Sequence, residues 1–178
     1  MRCPQSTTER AARNDNIPGS LKNANKPFMQ VTFETPDQPD VHALIAELDT
    51  YLYSLYPAEN VYALDMASLL QPNVVFAVAR DAGGTAIGCA AVVVTPEYGE
   101  IKRMYVRPAA RGQGLARRLI ASLEDAARSQ GCLVFMLETG PTMPEALALY
   151  ERMGYKYRGA FGEYPEDPLS VFMQKVVV

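Results

Sequence analysis

The sequence predicts an α/β protein, of the α+β kind, in which a mixed central sheet of six to seven strands is flanked by about four helices. Two strand-like runs, residues 100–106 and 132–137, are separated by one amphipathic helical pattern, and a helical connection makes such strands parallel. Two further runs, residues 74–79 and 86–95, are joined by a short turn at 81–84, which is typical of an antiparallel hairpin. Parallel and antiparallel pairs in one chain indicate a mixed sheet.

The elements predicted before the hairpin are one strand and two helices. Residues 29–34 are strand-like, and Asp40 is placed to cap a helix by accepting a hydrogen bond from its first turn. The apolar positions of this helix recur every three or four residues: Val41, Leu44, Ile45, Leu48 and Leu52. A short helix is predicted over residues 64–70, and Pro72 ends it.

The next predicted elements are a strand, a long helix and another strand. A turn at residues 96–99 leads into the strand at 100–106. The helix that follows, residues 115–127, has apolar positions at the spacing of one helix face. It ends near Gly131, because glycine commonly terminates helices, and the strand at 132–137 follows.

The last third of the chain contains one more helix and two more strands. Pro144 suits the first position of a helix, since its missing N–H would be unpaired there in any case, and Gly154 ends the helix. A strand near residues 155–157, an acidic loop at 162–168 and a final strand at 170–177 complete the prediction.

Length, charge and cysteine content exclude several classes of function. A chain of 178 residues with a net charge of −3 fits one domain and argues against a nucleic-acid partner held by phosphate contacts. No apolar run approaches the length that crosses a bilayer, so neither a membrane nor a secretory route is expected. The three cysteines, Cys3, Cys89 and Cys132, are scattered, which favours free thiols in the cytoplasm over disulfides or a metal site.

The N-terminal segment differs from the rest of the chain. Residues 1–27 are rich in Asn, Arg, Ser, Thr and Pro and have no apolar periodicity, so a flexible extension is predicted, with one folded domain over 28–178. Met29 begins the first strand-like run and is an alternative translation start, which the intact mass of the native protein would decide. An ordered arm that packs on a partner subunit is the other interpretation.

The segment between the strand at 100–106 and the helix at 115–127 predicts an anion site. Gly112 and Gly114 lie in this turn, which places several unpaired backbone N–H groups at a helix N-terminus. The helix dipole adds partial positive charge there, so the turn suits a phosphate group. We call residues 111–116 the phosphate loop.

Two common phosphate-binding motifs do not match this loop. A P-loop requires Gly-x-x-x-x-Gly-Lys followed by Ser or Thr, and the chain has no such run. The dinucleotide-binding motif requires a third glycine where Arg117 stands. What remains is Arg/Gln-x-x-Gly-x-Gly/Ala, matched by Arg111, Gly114 and Ala116 after Val106-Arg107-Pro108. This resembles the acyl-CoA-binding motif of the GNAT superfamily of N-acetyltransferases.

The resemblance extends from Met29 to the C-terminus. Residues 146–155 look like the family's Ala-x-x-x-Tyr-x-x-x-Gly-Phe/Tyr element, and residues 159–164 with 171–175 are similar to a bacterial subgroup of small acetyltransferases. The order of predicted elements is that of the GNAT fold. One departure is that many members have Asn after the fifth strand, where this chain has Thr139-Gly140-Pro141, so no asparagine contact to CoA is expected.

The resemblance implies acetyl-CoA as the acyl-donor cosubstrate, with no metal. The backbone amides of the phosphate loop are expected to face the pyrophosphate: Gly112, Gln113, Gly114, Leu115 and Ala116. Arg111 and Arg117 would add positive charge, and Arg117 or Arg118 is placed to reach the ribose phosphate. The strand residues Met104, Tyr105 and Val106 would bind the pantetheine arm, with the backbone of Met104 and Val106 pairing as in an added strand.

Acyl transfer to an amine also requires a base and an acid. Only about one alkylammonium in 2,500 is deprotonated at pH 7, so a nearby carboxylate must take the proton. Glu100 resembles the family's general base in position, with a solvated strand-end glutamate as the alternative; Glu97 and Glu138 are weaker candidates. Tyr150 matches the tyrosine that protonates the leaving thiolate, although a buried tyrosine is more often part of the core.

The acceptor is the least defined part of the prediction. The resemblance implies a primary amine of a small molecule or amino-acid-like compound, and the negative net charge also favours a cation. The regions that line acceptor sites in similar proteins are those near the second helix and in the acidic loop, with ordinary surface as the alternative for each residue there: Tyr51, Tyr53, Tyr56, Tyr164, Glu163, Glu166 and Asp167. Lys102 and Arg103 are candidates to hold an acceptor carboxylate. His42, the only histidine, is expected at the surface or core edge.

Two rival functions remain open from the sequence. One is a protein or peptide N-acetyltransferase, which an open acidic groove would favour. The other is a CoA-binding module without turnover, against which the presence of both Glu100 and Tyr150 argues. The oligomeric state is also open, and a homodimer is common in similar proteins.

Overall fold

The computed structural model describes residues 29–177, which form one mixed sheet with helices on both faces. The strands are β1 (Gln30–Phe33), β2 (Val74–Arg80), β3 (Ala86–Val94), β4 (Gly99–Val106), β5 (Val134–Thr139), β6 (Lys156–Arg158) and β7 (Val171–Val176). The helices are α1 (Pro39–Leu55), α2 (Met66–Leu69), α3 (Leu115–Arg128) and α4 (Pro144–Arg152). The predicted extension at residues 1–27 lies outside the described residues.

The sheet contains seven strands in the order β1-β2-β3-β4-β5-β7-β6. All neighbours are antiparallel except β4 and β5, which are parallel because α3 connects them. The mixed sheet and the order of elements predicted from the sequence are therefore confirmed. None of the helices within residues 29–177 is long and apolar enough to cross a membrane.

Strand alternation divides the apolar residues between two cores. On β2, Ala77 and Ala79 face α3, whereas Phe76 and Val78 face α1. The α3 side also takes α4, through the buried Tyr150. The sheet thus separates α1 and α2 on one face from α3 and α4 on the other, and a site that uses both groups of helices must pass through the sheet.

Two element boundaries differ from the prediction. Asp40 is not the cap of α1: Pro39 takes the first helical position, which makes Gln38 the N-cap, and the Asp40 carboxylate contacts Arg80 at 2.5 Å. β5 begins at Val134 rather than at 132, because the N–H of Cys132 still donates to Ala127 O in the turn that closes α3. Cys89 and Cys132 are buried free thiols, as expected.

Glu34, just after β1, forms an ion pair with Arg80 of β2, and this ion pair should make the stability of the domain depend on pH. Arg80 donates to the Glu34 carboxylate at 2.8 Å, and this contact lowers the pKa of Glu34 from 4.5 to about 2. A carboxyl with a lowered pKa stabilises the fold above its unfolded pKa, and the contribution disappears as pH falls from about 4.5 to about 2.

We expect Glu34→Gln to lower the free energy of unfolding by on the order of 2–3 kcal/mol at pH 7, with a smaller deficit below pH 3. Urea titrations at several pH values measure this difference. The exposed Glu59→Gln is the matched control and should show no such pH-dependent deficit. A deficit for Glu34→Gln that is equal at pH 7 and pH 2.5 would contradict the assignment.

Candidate functional site

The phosphate loop presents its backbone amides to open space. Gly112 and Gly114 adopt left-handed conformations, with φ of 75° and 78°, which few residues other than glycine tolerate. Among residues 29–177, no protein acceptor takes a hydrogen bond from the backbone N–H groups of residues 112–117. A Cβ placed on either glycine would meet no heavy atom within 4 Å. The amides at the α3 N-terminus are therefore available to an anion, and the buried side chain of Leu115 anchors the helix in the core.

The arginines around the loop have different partners. Arg111 Nε donates to Val106 O at 3.0 Å, which ties the loop to the end of β4. Arg118 donates to Met29 O at 2.7 Å, whereas the neighbouring Arg117 is exposed on the first turn of α3. Of the cations predicted to assist phosphate binding, Arg117 is the one whose guanidinium makes no hydrogen bond or ion pair within residues 29–177.

A split in the sheet lies next to the phosphate loop. The parallel pairing of β4 and β5 stops at Ile101 and Leu137, although β4 continues to Val106. The two parallel strands thus diverge from residue 102 of β4 onward. Residues 102–106 pair with β3 on one side and with no described strand on the other. The carbonyl of Val106 points to this open side, where Arg111 reaches it.

A cavity of about 870 Å³, including its solvent-filled mouth, fills the split. Its walls come from both faces of the sheet: α1 and residues 60–63 on one side, and α4 with the end of β5 on the other. Met104 lines this cavity and Lys102 contributes from the same strand, whereas Tyr105 points to the α1 core. The split therefore connects the phosphate-loop side to a chamber beneath α1.

Tyr150 and Glu138 both line this cavity, and the charge of Glu138 acts on the Tyr150 hydroxyl. The Tyr150 ring is buried, and its hydroxyl has no hydrogen-bond partner among residues 29–177. No buried side-chain polar atom in that range is unsatisfied, so the hydroxyl must reach the open space. Burial, with the nearby Glu138 charge, raises the pKa of Tyr150 and keeps it protonated at neutral pH.

Glu138 is a carboxylate that lines the cavity. Ser170 Oγ donates to its Oε1 at 2.8 Å, and no described cation lies within ion-pair distance. Burial raises the pKa of Glu138 above its usual 4.5, while the Ser170 hydrogen bond and the Lys102 charge oppose the shift. A carboxylate with a raised pKa is a better proton acceptor than an ordinary one.

Glu100 belongs to a cluster beside the cavity. Its Oε1 accepts a hydrogen bond from Tyr164 Oη at 2.5 Å and pairs with Lys102 Nζ at 3.2 Å; Lys102 also donates to Tyr164 at 2.5 Å. We call these three residues the Lys102 cluster. Lys102 lines the cavity directly, whereas Glu100 stands behind it.

Three residues that line the cavity contact neighbouring loops, and we call these contacts the roof. Tyr56, at the end of α1, shares a hydrogen bond of 2.5 Å with Thr142 Oγ1 and accepts another from Thr142 N at 3.2 Å. Asn60 donates to Asp167, and the Tyr62 ring packs edge-on against Tyr164 with centroids 5.0 Å apart. The connection between α1 and α2 is thereby held against both the β5–α4 and the β6–β7 loops.

Other residues predicted to contact the acceptor either lie outside the cavity or are already paired. Tyr51 and Tyr53 are exposed on α1 and do not line the cavity. Arg103 lines it but pairs with Asp49, and its backbone lies at a bulge of β4 with φ of 55°. Glu163 and Glu166 are exposed, and His42 pairs with the exposed Asp37.

Several residues that line the cavity could not be predicted as site residues from the sequence. Asn60 ends a single 3-10 turn and Tyr62 lies in an irregular segment, so no periodicity marks either side chain as inward-facing. Leu48 and Leu52 were predicted as core positions of α1, and their helix spacing does not distinguish a core contact from a cavity wall. Among residues 29–177, no group of His, Cys, Asp and Glu side chains has the geometry of a metal site.

Gly140 permits the close approach of Tyr56. A Cβ at residue 140 would lie 1.9 Å from Tyr56 Oη and 2.1 Å from its Cζ, so Tyr56 would have to leave the roof. We expect Gly140→Ala to lower the free energy of unfolding by about 1–3 kcal/mol, because overpacking at a buried contact typically costs that much. Thermal or urea unfolding measures the loss.

A double-mutant cycle isolates this clash. Gly140→Ala in a Tyr56→Ala background should cost under about 0.5 kcal/mol, since the ring that it would meet is gone. A loss in that background as large as in the wild type would show that another contact, or the backbone of Gly140 itself, is responsible.

Comparisons with known sequences give a consistent family signal. A sequence model of the Acetyltransferase (GNAT) family matches residues 41–155. The chain is 46% identical over 151 residues to the IAA acetyltransferase of Azospirillum brasilense, covering 84% of this chain and 98% of that protein. It is 31% identical to the uncharacterized N-acetyltransferase YsnE of Bacillus subtilis, covering 74% of this chain and 91% of that one.

Solved structures support the same fold. A proposed acyl-CoA N-acyltransferase from Klebsiella pneumoniae superposes with a TM-score of 0.72 at 38% identity, covering 84% of this chain and 98% of that one. An aminoglycoside 6'-N-acetyltransferase complexed with coenzyme A superposes with a TM-score of 0.65. It is 15% identical and covers 84% of this chain and 97% of its own, so this second likeness concerns the fold alone.

Proposed function

Because this chain belongs to the GNAT family and is an acyl-CoA-dependent N-acetyltransferase, we propose that it acetylates the primary amine of a small molecule bound in the cavity beside Tyr150. The single observation that carries the proposal is the cavity at the β4–β5 split, which is lined from both faces of the sheet, including the face that carries α3 and the phosphate loop. Acetyl-CoA is the cosubstrate.

The first part of the proposal concerns cosubstrate binding. The open amides of residues 112–116 would hold the pyrophosphate, and Arg117 would add charge beside it. Met104 and Val106 would pair with the pantetheine amides along the unpaired edge of β4, with Tyr105 supporting the strand from the opposite core. Because Arg111 holds the Val106 carbonyl, it would act by positioning this edge as well as by its charge.

The second part concerns the chemistry. A neutral amine attacks the thioester carbonyl, so that a C–N bond forms and the C–S bond breaks. The proton that the amine must lose passes to a carboxylate, for which Glu138 is favoured because it lines the cavity with its pKa raised. Tyr150 gives its hydroxyl proton to the departing thiolate, and its raised pKa keeps that proton in place until then.

Glu100, predicted as the base, remains the second candidate for that role. Its carboxylate is engaged by Tyr164 and Lys102, so it would act through the Lys102 cluster or through water. Variants of the two glutamates separate these roles, as described in the Discussion.

The roof favours a small acceptor over a peptide. A peptide acceptor needs a groove along which backbone extends from the reactive amine on one or both sides. Here the Tyr56–Thr142 and Asn60–Asp167 contacts cross the mouth instead. The relative from Azospirillum brasilense is named an IAA acetyltransferase, which agrees with a small acceptor.

The test is release of free thiol from acetyl-CoA across a panel of small amines and of peptides with free N-termini or lysines. Turnover on small amines with little on peptides is the expected result. Peptides acetylated more efficiently than every small amine would favour the peptide N-acetyltransferase. Binding of CoA with no turnover on any acceptor would favour a CoA-binding module.

A further inference from the structure

The cations that line the cavity already have anionic partners. Lys102 Nζ lies 3.2 Å from Glu100, and Lys102 is largely buried within its cluster. Arg103 pairs with Asp49 and also donates to Leu64 O, which leaves its guanidinium committed to the protein. An acceptor carboxylate would therefore meet no unpaired cation among the lining residues within 29–177.

Glu138 has no cationic partner within residues 29–177. It accepts one hydrogen bond from the neutral hydroxyl of Ser170, and no described Lys, Arg or His lies within ion-pair distance. The Lys102 charge lowers the pKa of Glu138, whereas the charges of Glu100 and Asp167 raise it. One ammonium thus stands among three carboxylates, Glu138 included, so the chamber around Glu138 is net negative. This field favours one ammonium group and disfavours a second anion.

Part of the chamber is apolar. Its apolar side chains come from α1 and residues 61–63 on one face of the sheet, and from α4 with its N-cap and the β6–β7 loop elsewhere. Its apolar members are Leu48, Leu52, Val61, Met143, Leu149 and Leu169. A polyhydroxylated acceptor would leave hydroxyl groups without partners against these side chains, whereas an aryl or alkyl group would be desolvated favourably.

We propose that the acceptor is an apolar monoamine: a primary amine on an aryl or alkyl body, without a carboxylate. Glu138 receives the ammonium group, and the apolar wall receives the body. The free amino acid of the same side chain is then a poor acceptor, because its carboxylate would face Glu138 with Lys102 already paired. This inference rests on the proposed function and narrows its acceptor class.

A matched pair of acceptors tests the charge argument. 2-Phenylethylamine and L-phenylalanine differ only in the carboxylate, and we expect kcat/KM for the amine to be higher by on the order of 10- to 100-fold. Glucosamine, an amine with hydroxyl groups in place of the apolar body, tests the wall and should be poorer than 2-phenylethylamine by at least about 10-fold. Equal or better use of phenylalanine or glucosamine overturns the proposal.

A variant of the Lys102 cluster tests the same point from the protein side. Glu100→Gln leaves the Lys102 ammonium without its carboxylate partner, so the ratio of phenylethylamine to phenylalanine activity should fall at least about threefold. The ratio is independent of any general loss of activity. Glu163→Gln, on the exposed part of the acidic loop, is the control and should leave the ratio unchanged. An unchanged ratio in Glu100→Gln contradicts the pairing argument.

Failure of the proposed function can be distinguished from failure of the inferred acceptor class. Should no acceptor at all be acetylated, the proposed function fails, and calorimetry with CoA present then measures acceptor binding directly. Tighter binding of 2-phenylethylamine than of phenylalanine still supports the inferred chamber, and the reverse order overturns it.

Discussion

Replacing Tyr150 by phenylalanine is expected to lower kcat by about 100-fold, because the departing thiolate loses its proton donor. The ring stays in the core, so the Kd for CoA should remain within about twofold of the wild type. The hydroxyl of Tyr150 has no protein partner among residues 29–177, so its removal leaves no described group unsatisfied. Steady-state kinetics and calorimetry with CoA provide the two measurements.

Tyr155→Phe is the matched control for this prediction. Tyr155 packs edge-on against Tyr150 with centroids 5.7 Å apart, but its hydroxyl donates to the buried Glu124 at 2.8 Å, away from the cavity. This variant should lose stability, since Glu124 loses a hydrogen bond, with little change in kcat. Equal losses of kcat in both variants would mean that Tyr150 contributes packing rather than a proton.

Replacing Glu138 by glutamine is expected to lower kcat/KM by about 100-fold at neutral pH, because the acceptor ammonium loses both its binding partner and its proton acceptor. The pH dependence gives a second readout. The base works when deprotonated, so the wild-type kcat/KM should fall as pH drops through the pKa of Glu138, which burial has raised above 4.5. The glutamine variant should lack that acidic limb.

Glu100→Gln distinguishes the two glutamates. If Glu138 is the base, the Glu100 variant keeps the acidic limb in its profile while losing part of its activity through disruption of the Lys102 cluster. Loss of the limb in Glu100→Gln with its retention in Glu138→Gln would assign the base to Glu100, as the sequence first suggested.

The order and type of the elements could be predicted from the sequence because they depend on local patterns. The apolar spacing of α1 and α3 and the glycines of the turns act within a few residues of each other. Asp40 shows the limit of such reasoning: as a residue type it suits a helix cap, but Pro39 and the contact with Arg80, distant in sequence, decide its place.

Some parts of the site could be predicted from the sequence and others could not, again because only local patterns can be read from the chain. The phosphate loop is one contiguous segment, so its residues and their chemistry are visible together in the chain. The relation between Glu138 and Glu100 is different. Glu100 lies near the start of β4 and Glu138 near the end of β5, and only the end of β4–β5 pairing at Ile101 and Leu137 determines that Glu138 lines the cavity while Glu100 stands behind Lys102.

The sequence by itself determined the mixed sheet, the helix that carries the phosphate loop and the position of Tyr150, since each depends on short-range spacing and backbone chemistry. Only the tertiary structure decided which charges in the cavity are already paired and that Tyr56, Asn60 and Tyr62 contact the loops around it. Apart from Lys102 and Glu100, which are neighbours on β4, these contacts join residues dozens of positions apart, and no local pattern encodes which distant side chain will neutralise a charge or contact a loop.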